Sequence, residues 1–322
     1  MSAWFVPGER CADLHRQALE AFLKSYPPWT GGSGKPRPSI RYRPLTNGVS
    51  NATWCVAVGP KAFVVKIPGS GSGPFIDRAV AARASRRAAR LGLAPAVVDV
   101  ISPSGIEITA YRADWGHIEK PALALRLGQV ARVLRALHKG PLWGHRATIF
   151  DLIDARLRIV REVYQTGGLR DFSALEEAYH RARRVMMRRG LSLAACWNDP
   201  MTTNFLVKGP AMCIVDLEYA GNNDRWYDLA VFLGEINARP AQERAAILAY
   251  DPLADEDTLA WVRVLRTLAD YKLALWTLCQ ARLSTLPLDF DRYARWKYAR
   301  ARARLAGRAW REDLALLADN KR

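Results

Sequence analysis

The sequence predicts an α+β fold in two lobes: a small antiparallel-sheet lobe over residues 1–112 and a larger, mainly helical lobe over 113–322. Three observations carry this. The segments IRYRPL, NATWCVAV and AFVVKIP are short, rich in β-branched and aromatic residues, and all lie before residue 70. Beyond residue 113 the apolar residues recur at helical intervals, as in ALALRLGQVARVLRALHKG with its helix-ending Gly140. With 322 residues, 50% of them hydrophobic, the chain can bury a large core and divide it between two lobes.

From the start, residues 10–26 read as an amphipathic helix, followed by the Gly/Pro-rich loop PPWTGGSGKPRPS. Between the first two strands lies Thr46-Asn47-Gly48-Val49-Ser50-Asn51, whose small residues would let backbone amides approach phosphates. By itself this pattern is more often a plain hairpin. Lys66 stands among Val64, Val65 and Ile67, and a cation on an apolar strand calls for an anionic partner. A helix is expected over Ile76 to Leu91 and a strand over Ile106 to Tyr111, with a hinge after it. The backbone of that strand is a candidate for hydrogen bonds to adenine.

The richest segment is CWNDPMTTNFLVKGPAMCIVDLEYAG. FLV and MCIVDLEY read as two strands around the turn Lys208-Gly209-Pro210, so the hairpin returns Asp216 to the loop carrying Asp199 and Asn204. A phosphoryl-transfer site needs one carboxylate to orient the acceptor hydroxyl, plus an amide and a second carboxylate to hold Mg-ATP. Asp199, Asn204 and Asp216 are those residue types, although a loop with an Asx turn would also account for the spacing.

The runs WNDPMTTN and IVDLEYAGNNDRWYDLAVFLGE resemble the choline/ethanolamine kinase family, a branch of the aminoglycoside-phosphotransferase-like kinases. The resemblance continues in LTNGVSNATWCVAV, FVVKIPG, FIDRAVAARA, GLAP and LWTLCQARLS, in the family's order, across roughly residues 40 to 300. It implies a protein-kinase-like fold, ATP and Mg2+ as cofactors, and Asp199 as catalytic base. Asn204 and Asp216 become the metal ligands; Asn47, Gly48, Ser50 and Asn51 form the phosphate loop; and Lys66 is the phosphate-binding lysine. The implied acceptor is the hydroxyl of a small amino alcohol, choline first, converted to phosphocholine. Asp199, Tyr219, Glu235, Trp276 and Tyr293 match its acceptor positions, aromatic faces and a carboxylate being what a quaternary ammonium requires.

The chain departs from the family in several places. The helix after Asp77 carries Ala79, Val80, Ala81 and Ala82 where an acidic partner for Lys66 is expected, and Asp77 and Glu107 are the nearest acids. Trp197 replaces a scaffold His two positions before Asp199, and an indole has one donor and no acceptor. Leu273 and Pro240 stand where further aromatics would complete the box. Ethanolamine, thiamine or an aminoglycoside are the alternative acceptors, and a catalytically impaired nucleotide-binding pseudokinase is the alternative without turnover. Glu218, Asp228 and His138 read as structural, Asp228 capping the helix DLAVFLGEI and bracing the catalytic loop.

The net charge of +17 comes largely from RRAAR, RARRVMMRR and RYARWKYARARARLAGRAWR, which have the spacing of solvated helix faces. Without a nucleic-acid module, no specific nucleic-acid partner is expected; contact with a membrane surface stays open, as does the oligomeric state. No apolar run approaches the ~20 residues of a membrane span, and no signal-peptide pattern opens the chain, so a cytoplasmic site is expected. Five scattered cysteines show no metal-ligand pairing and read as small buried hydrophobes.

Overall fold

The computed structural model describes residues 4–7, 13–30, 38–45, 51–69, 73, 75–164, 169–284 and 289–319. The chain forms two compact units. The first comprises Met1–Pro74, Pro95–Asp114 and the short segment Ser284–Leu286; the second comprises Phe75–Ala94, Trp115–Leu283 and Pro287–Arg322.

The first unit contains helices α1 (Leu14–Ser25) and α2 (Pro27–Thr30) and strands β1 (Ile40–Leu45), β2 (Asn51–Val58), β3 (Lys61–Pro68), β4 (Val97–Ile101) and β5 (Ile106–Ala110). All neighbouring strands are antiparallel, in the order β1-β2-β3-β5-β4. Asp13 caps α1 by accepting from the His15 amide. The apolar stripe Leu19, Phe22 and Leu23 of α1 packs with Trp29, Tyr42, Trp54, Val56, Val65 and Ile108 into one core. Alternation along β3 turns Val65 into that core and leaves Lys66 on the other face, directly opposite Glu107 of β5.

The second unit holds α3 (Arg78–Arg90), α4 (Lys120–Leu123), α5 (Leu127–His138), α6 (Ile149–Val163), α7 (Phe172–Arg189), α8 (Tyr227–Glu235), α9 (Pro240–Tyr250), α10 (Glu256–Leu283), α11 (Phe290–Leu305) and α12 (Arg308–Asp319). Its strands are β6 (Gly116–His117), β7 (Leu193–Cys196), β8 (Phe205–Lys208), β9 (Ala211–Ile214) and β10 (Gly221–Asp224). The 28-residue α10 is the axis of this unit, packing against α6, α8, α11 and α12. The expected hairpin is β8–β9, turned at Gly209 with φ +53°. A second pair, β7–β10, joins the strand that leads into the Asp199 loop to the strand that leads into α8.

Candidate active site

The loop after β7 is held from below by one buried carboxylate. Asp228, in the first turn of α8, accepts from the backbone amides of Trp197 and Asn198 at 2.7 Å each. It also meets His138 Nε2 at 2.8 Å, while His138 Nδ1 meets the Tyr250 hydroxyl at 2.8 Å. The sequence reading had Asp228 both cap the helix and brace the loop; the residue at the cap is Trp226, and the brace is the role its hydrogen bonds show. His138, Cys196 and Asp228 lie close enough to one another to suggest a metal site, but the hydrogen bonds to Asp228 already account for its burial.

Asn198 adopts φ +69°, a conformation that Asn tolerates better than most residues. Its amide donates to the Tyr219 carbonyl at 3.0 Å and its oxygen accepts from Asn223 Nδ2 at 2.9 Å. Trp197 is fully buried and spends its one donor on the Asp216 carbonyl at 2.7 Å. An indole thus ties the loop of Asp199 to the backbone of Asp216 where a histidine was expected.

On that frame Asp199, Asn204 and Asp216 come together. The Asn204 side-chain amide donates to the Asp199 carbonyl at 3.2 Å and to Asp199 Oδ2 at 3.4 Å. The amide of Val215 donates to the Asn204 carbonyl at 3.0 Å, which brings the end of the hairpin to the loop, as the spacing predicted. Asp216 itself sits at φ +63°, a strained setting of the kind found where a side chain must be aimed. Asn204 Oδ1 and the Asp216 carboxylate offer an all-oxygen donor set, which suits Mg2+.

Burial pushes the Asp199 carboxyl above its ordinary range, and the nearby charges of Asp216, Glu218 and Glu235 add to the rise, while Lys272 opposes it. Burial correspondingly lowers the Lys272 ammonium, which Asp199 counteracts. Lys272, on α10, is one of the site cations that sequence reasoning missed. Another is Arg156 of α6, 1% exposed, whose guanidinium lies 4.7 Å from the Phe75 ring and donates to the Leu152 carbonyl at 2.7 Å. Burial lowers its pKa, with Tyr219 and Asp199 among the neighbours that offset this. A charged residue inside an otherwise apolar helical stripe was the available signal for both.

Of the five acceptor residues expected from the sequence, the four besides Asp199 divide into two contacts. Trp276 Nε1 donates to the Tyr219 hydroxyl at 3.2 Å. Glu235 and Tyr293 meet around Lys297: its Nζ lies 3.3 Å from Glu235 Oε1 and 5.2 Å from the centre of the Tyr293 ring.

In the first unit, Lys66 Nζ is 3.4 Å from Glu107 Oε2, with both side chains nearly buried. The acid missing from α3 is supplied by the neighbouring strand, through register. Asp77, the other candidate, instead caps α3, accepting from the amides of Ala79 and Val80 at 3.0 Å. Asn51 is described and buried, its side chain accepting from the Gly69 amide at 3.4 Å. Asn47, Gly48 and Ser50 lie outside the described residues.

A carboxylate on a braced loop, with an amide and a second carboxylate from an adjoining hairpin, is an arrangement built for phosphoryl transfer. A family model for the phosphotransferase enzyme family (APH) matches residues 41–265, and the chain belongs to that family. The fold is protein-kinase-like. It is similar to a choline/ethanolamine kinase family protein from Mesorhizobium loti, with TM-score 0.77, 26% identity, and coverage of 95% of this chain and 100% of that one. It is also similar to the ethanolamine kinase of Plasmodium vivax (TM-score 0.75, 16% identity, 96% and 93% covered) and to the choline kinase LicA of Streptococcus pneumoniae (0.70, 19%, 79% and 89%). In sequence, Protein LicA of Haemophilus influenzae is 23% identical over 194 residues, covering 58% of this chain; the match spans about half, 56%, of that relative's length. No helix among the described residues is long and apolar enough to cross a membrane.

Proposed function

We propose that this chain transfers the γ-phosphoryl group of ATP, with Mg2+, to the hydroxyl of a small acceptor. The observation that carries the reading is the Asp199, Asn204 and Asp216 cluster, held by Asp228 and Trp197 in the geometry given above. The acceptor oxygen attacks the γ-phosphorus, the bond from that phosphorus to the bridging oxygen breaks, and ADP leaves. The hydroxyl proton passes to a carboxylate oxygen of Asp199, which burial and three nearby carboxylates make a better base than a solvated aspartate. Asn204 and Asp216 would hold the metal, which when bound supplies charge neutralisation on the phosphate oxygens. Lys66, aimed by Glu107, is the phosphate lysine.

The acceptor class favoured from the sequence is a small amino alcohol, choline first. Its support is the similarity to choline and ethanolamine kinases and the Tyr219–Trp276 contact. Ethanolamine, thiamine and aminoglycosides are the competing acceptors. A cytoplasmic location, where Mg-ATP is at hand, and the absence of a nucleic-acid partner belong to the same reading. The test is ADP release with Mg-ATP against a panel of alcohols with and without an amine; acceptor-dependent release supports phosphotransfer, and ATP binding with no release on any acceptor favours an impaired nucleotide-binding protein.

Glu107→Gln is expected to raise KM for ATP by about tenfold, equivalent to ~1.4 kcal/mol. Steady-state kinetics checks this. An unchanged KM would show that Lys66 does not depend on Glu107.

A further inference from the structure

Lys297 occupies the place where an amine-bearing acceptor would find its counter-ion. Its side chain is 2% exposed, and its Nζ lies 3.3 Å from Glu235, 5.2 Å from the Tyr293 ring centre and 4.6 Å from the Trp296 ring centre. A carboxylate with aromatic faces is what a quaternary ammonium alcohol needs from a protein, and here an ammonium of the chain itself takes those contacts. Glu235 is moreover saturated. Lys120 at 3.7 Å and Arg300 at 3.8 Å join Lys297 around it, so three cations lie within 4 Å of one carboxylate. Asp270, the next acid on α10, is already held by Arg300 and Arg304.

Deeper in lie two further buried cations, facing the carboxylates of Asp199, Asp216 and Glu218. Arg156 is fully buried near Tyr219 and Asp199, has no carboxylate within 4 Å among the described residues, and leaves its Nε without a hydrogen-bond partner there. Lys272 adds a further buried cation beside Asp199 and Glu235. A second ammonium entering beside Glu235 would be desolvated and offered a carboxylate already neutralised by three cations.

We propose that Lys297 is a built-in surrogate for the acceptor's cationic group, and that this chain therefore phosphorylates a small alcohol whose remaining skeleton is uncharged or anionic, discriminating against quaternary ammonium alcohols. The proposal rests on the phosphotransferase reading above and replaces the amino-alcohol acceptor favoured from the sequence with an uncharged or anionic one. It makes Lys297 a specificity-determining residue: the same fold with a neutral side chain there would free the Tyr293 and Trp296 faces and one of the three cation contacts of Glu235.

The test uses choline and its uncharged isostere 3,3-dimethylbutan-1-ol, which differ in charge and hardly in shape. The wild-type protein is expected to show a kcat/KM at least ~10-fold higher for the isostere than for choline. In Lys297→Met, which keeps the aliphatic bulk and removes the nearest of the three cations around Glu235, that preference is expected to shift several-fold toward choline, Lys120 and Arg300 remaining in place. A wild-type preference for choline of tenfold or more overturns the proposal while leaving the phosphotransferase reading intact, and that arm does not depend on the variant folding. Equal preference in both proteins also overturns it. Phosphorylation of neither probe nor of any neutral, anionic or cationic alcohol, with Mg-ATP still bound, overturns the phosphotransferase reading and the acceptor proposal with it.

Discussion

Asp199→Asn is expected to lower kcat for acceptor phosphorylation by roughly 10²- to 10⁴-fold while leaving KM for ATP within a factor of a few. The amide keeps the volume and the position on the braced loop but cannot take the acceptor proton. Its effect on folding is the difference of two opposed terms: the change removes repulsion from Asp216, Glu218 and Glu235, and it removes attraction to Lys272. The thermal midpoint is therefore expected to move little. The pairing of steady-state kinetics with a melting curve checks both parts. A variant that retains wild-type turnover would remove Asp199 from the chemistry, and one that loses turnover only by unfolding would make it structural.

Asp228→Ala carries the largest expected effect on stability. One carboxylate accepts from two loop amides and faces His138, all fully buried. Alanine leaves these donors without acceptors in a dry interior, a loss of about 3–5 kcal/mol. For a chain of this size that corresponds to a fall in Tm of roughly 10 °C, read by calorimetry. The loop carrying Asp199 would lose its support at the same time, so residual activity is expected to fall even below the melting transition. A change of less than 1 kcal/mol would mean that the loop is held by other contacts.

Much of the scaffold was legible because its patterns are local. IRYRPL, NATWCVAV and AFVVKIP are β1, β2 and β3, and the helix expected over Ile76 to Leu91 is Arg78–Arg90. The Asp199, Asn204 and Asp216 cluster was readable because a tight hairpin closes it within 18 residues. What escaped depends on register and on distant helices. Glu107 was one of two candidate acids for Lys66, and the choice between it and Asp77 falls to the register of β5 on β3, which no window around Lys66 contains. Trp197 looked like a loss because its donor, rather than an acceptor, turned out to be the working group, and the Asp216 carbonyl it meets is 19 residues away. Lys272 and Lys297 lie in α10 and α11, where one reads as a stray charge in a core stripe and the other as part of a basic face. Only the packing of those helices turns them toward Asp199 and Glu235.

The most direct test of the central claim is acceptor-dependent ADP release by the purified protein as a function of Mg2+, with Asp216→Ala measured beside it. Metal-dependent release by the wild type that is lost in Asp216→Ala, with the variant still folded, is the result expected if the cluster performs phosphoryl transfer. Release that continues in Asp216→Ala at the wild-type rate and with the same Mg2+ dependence would contradict it.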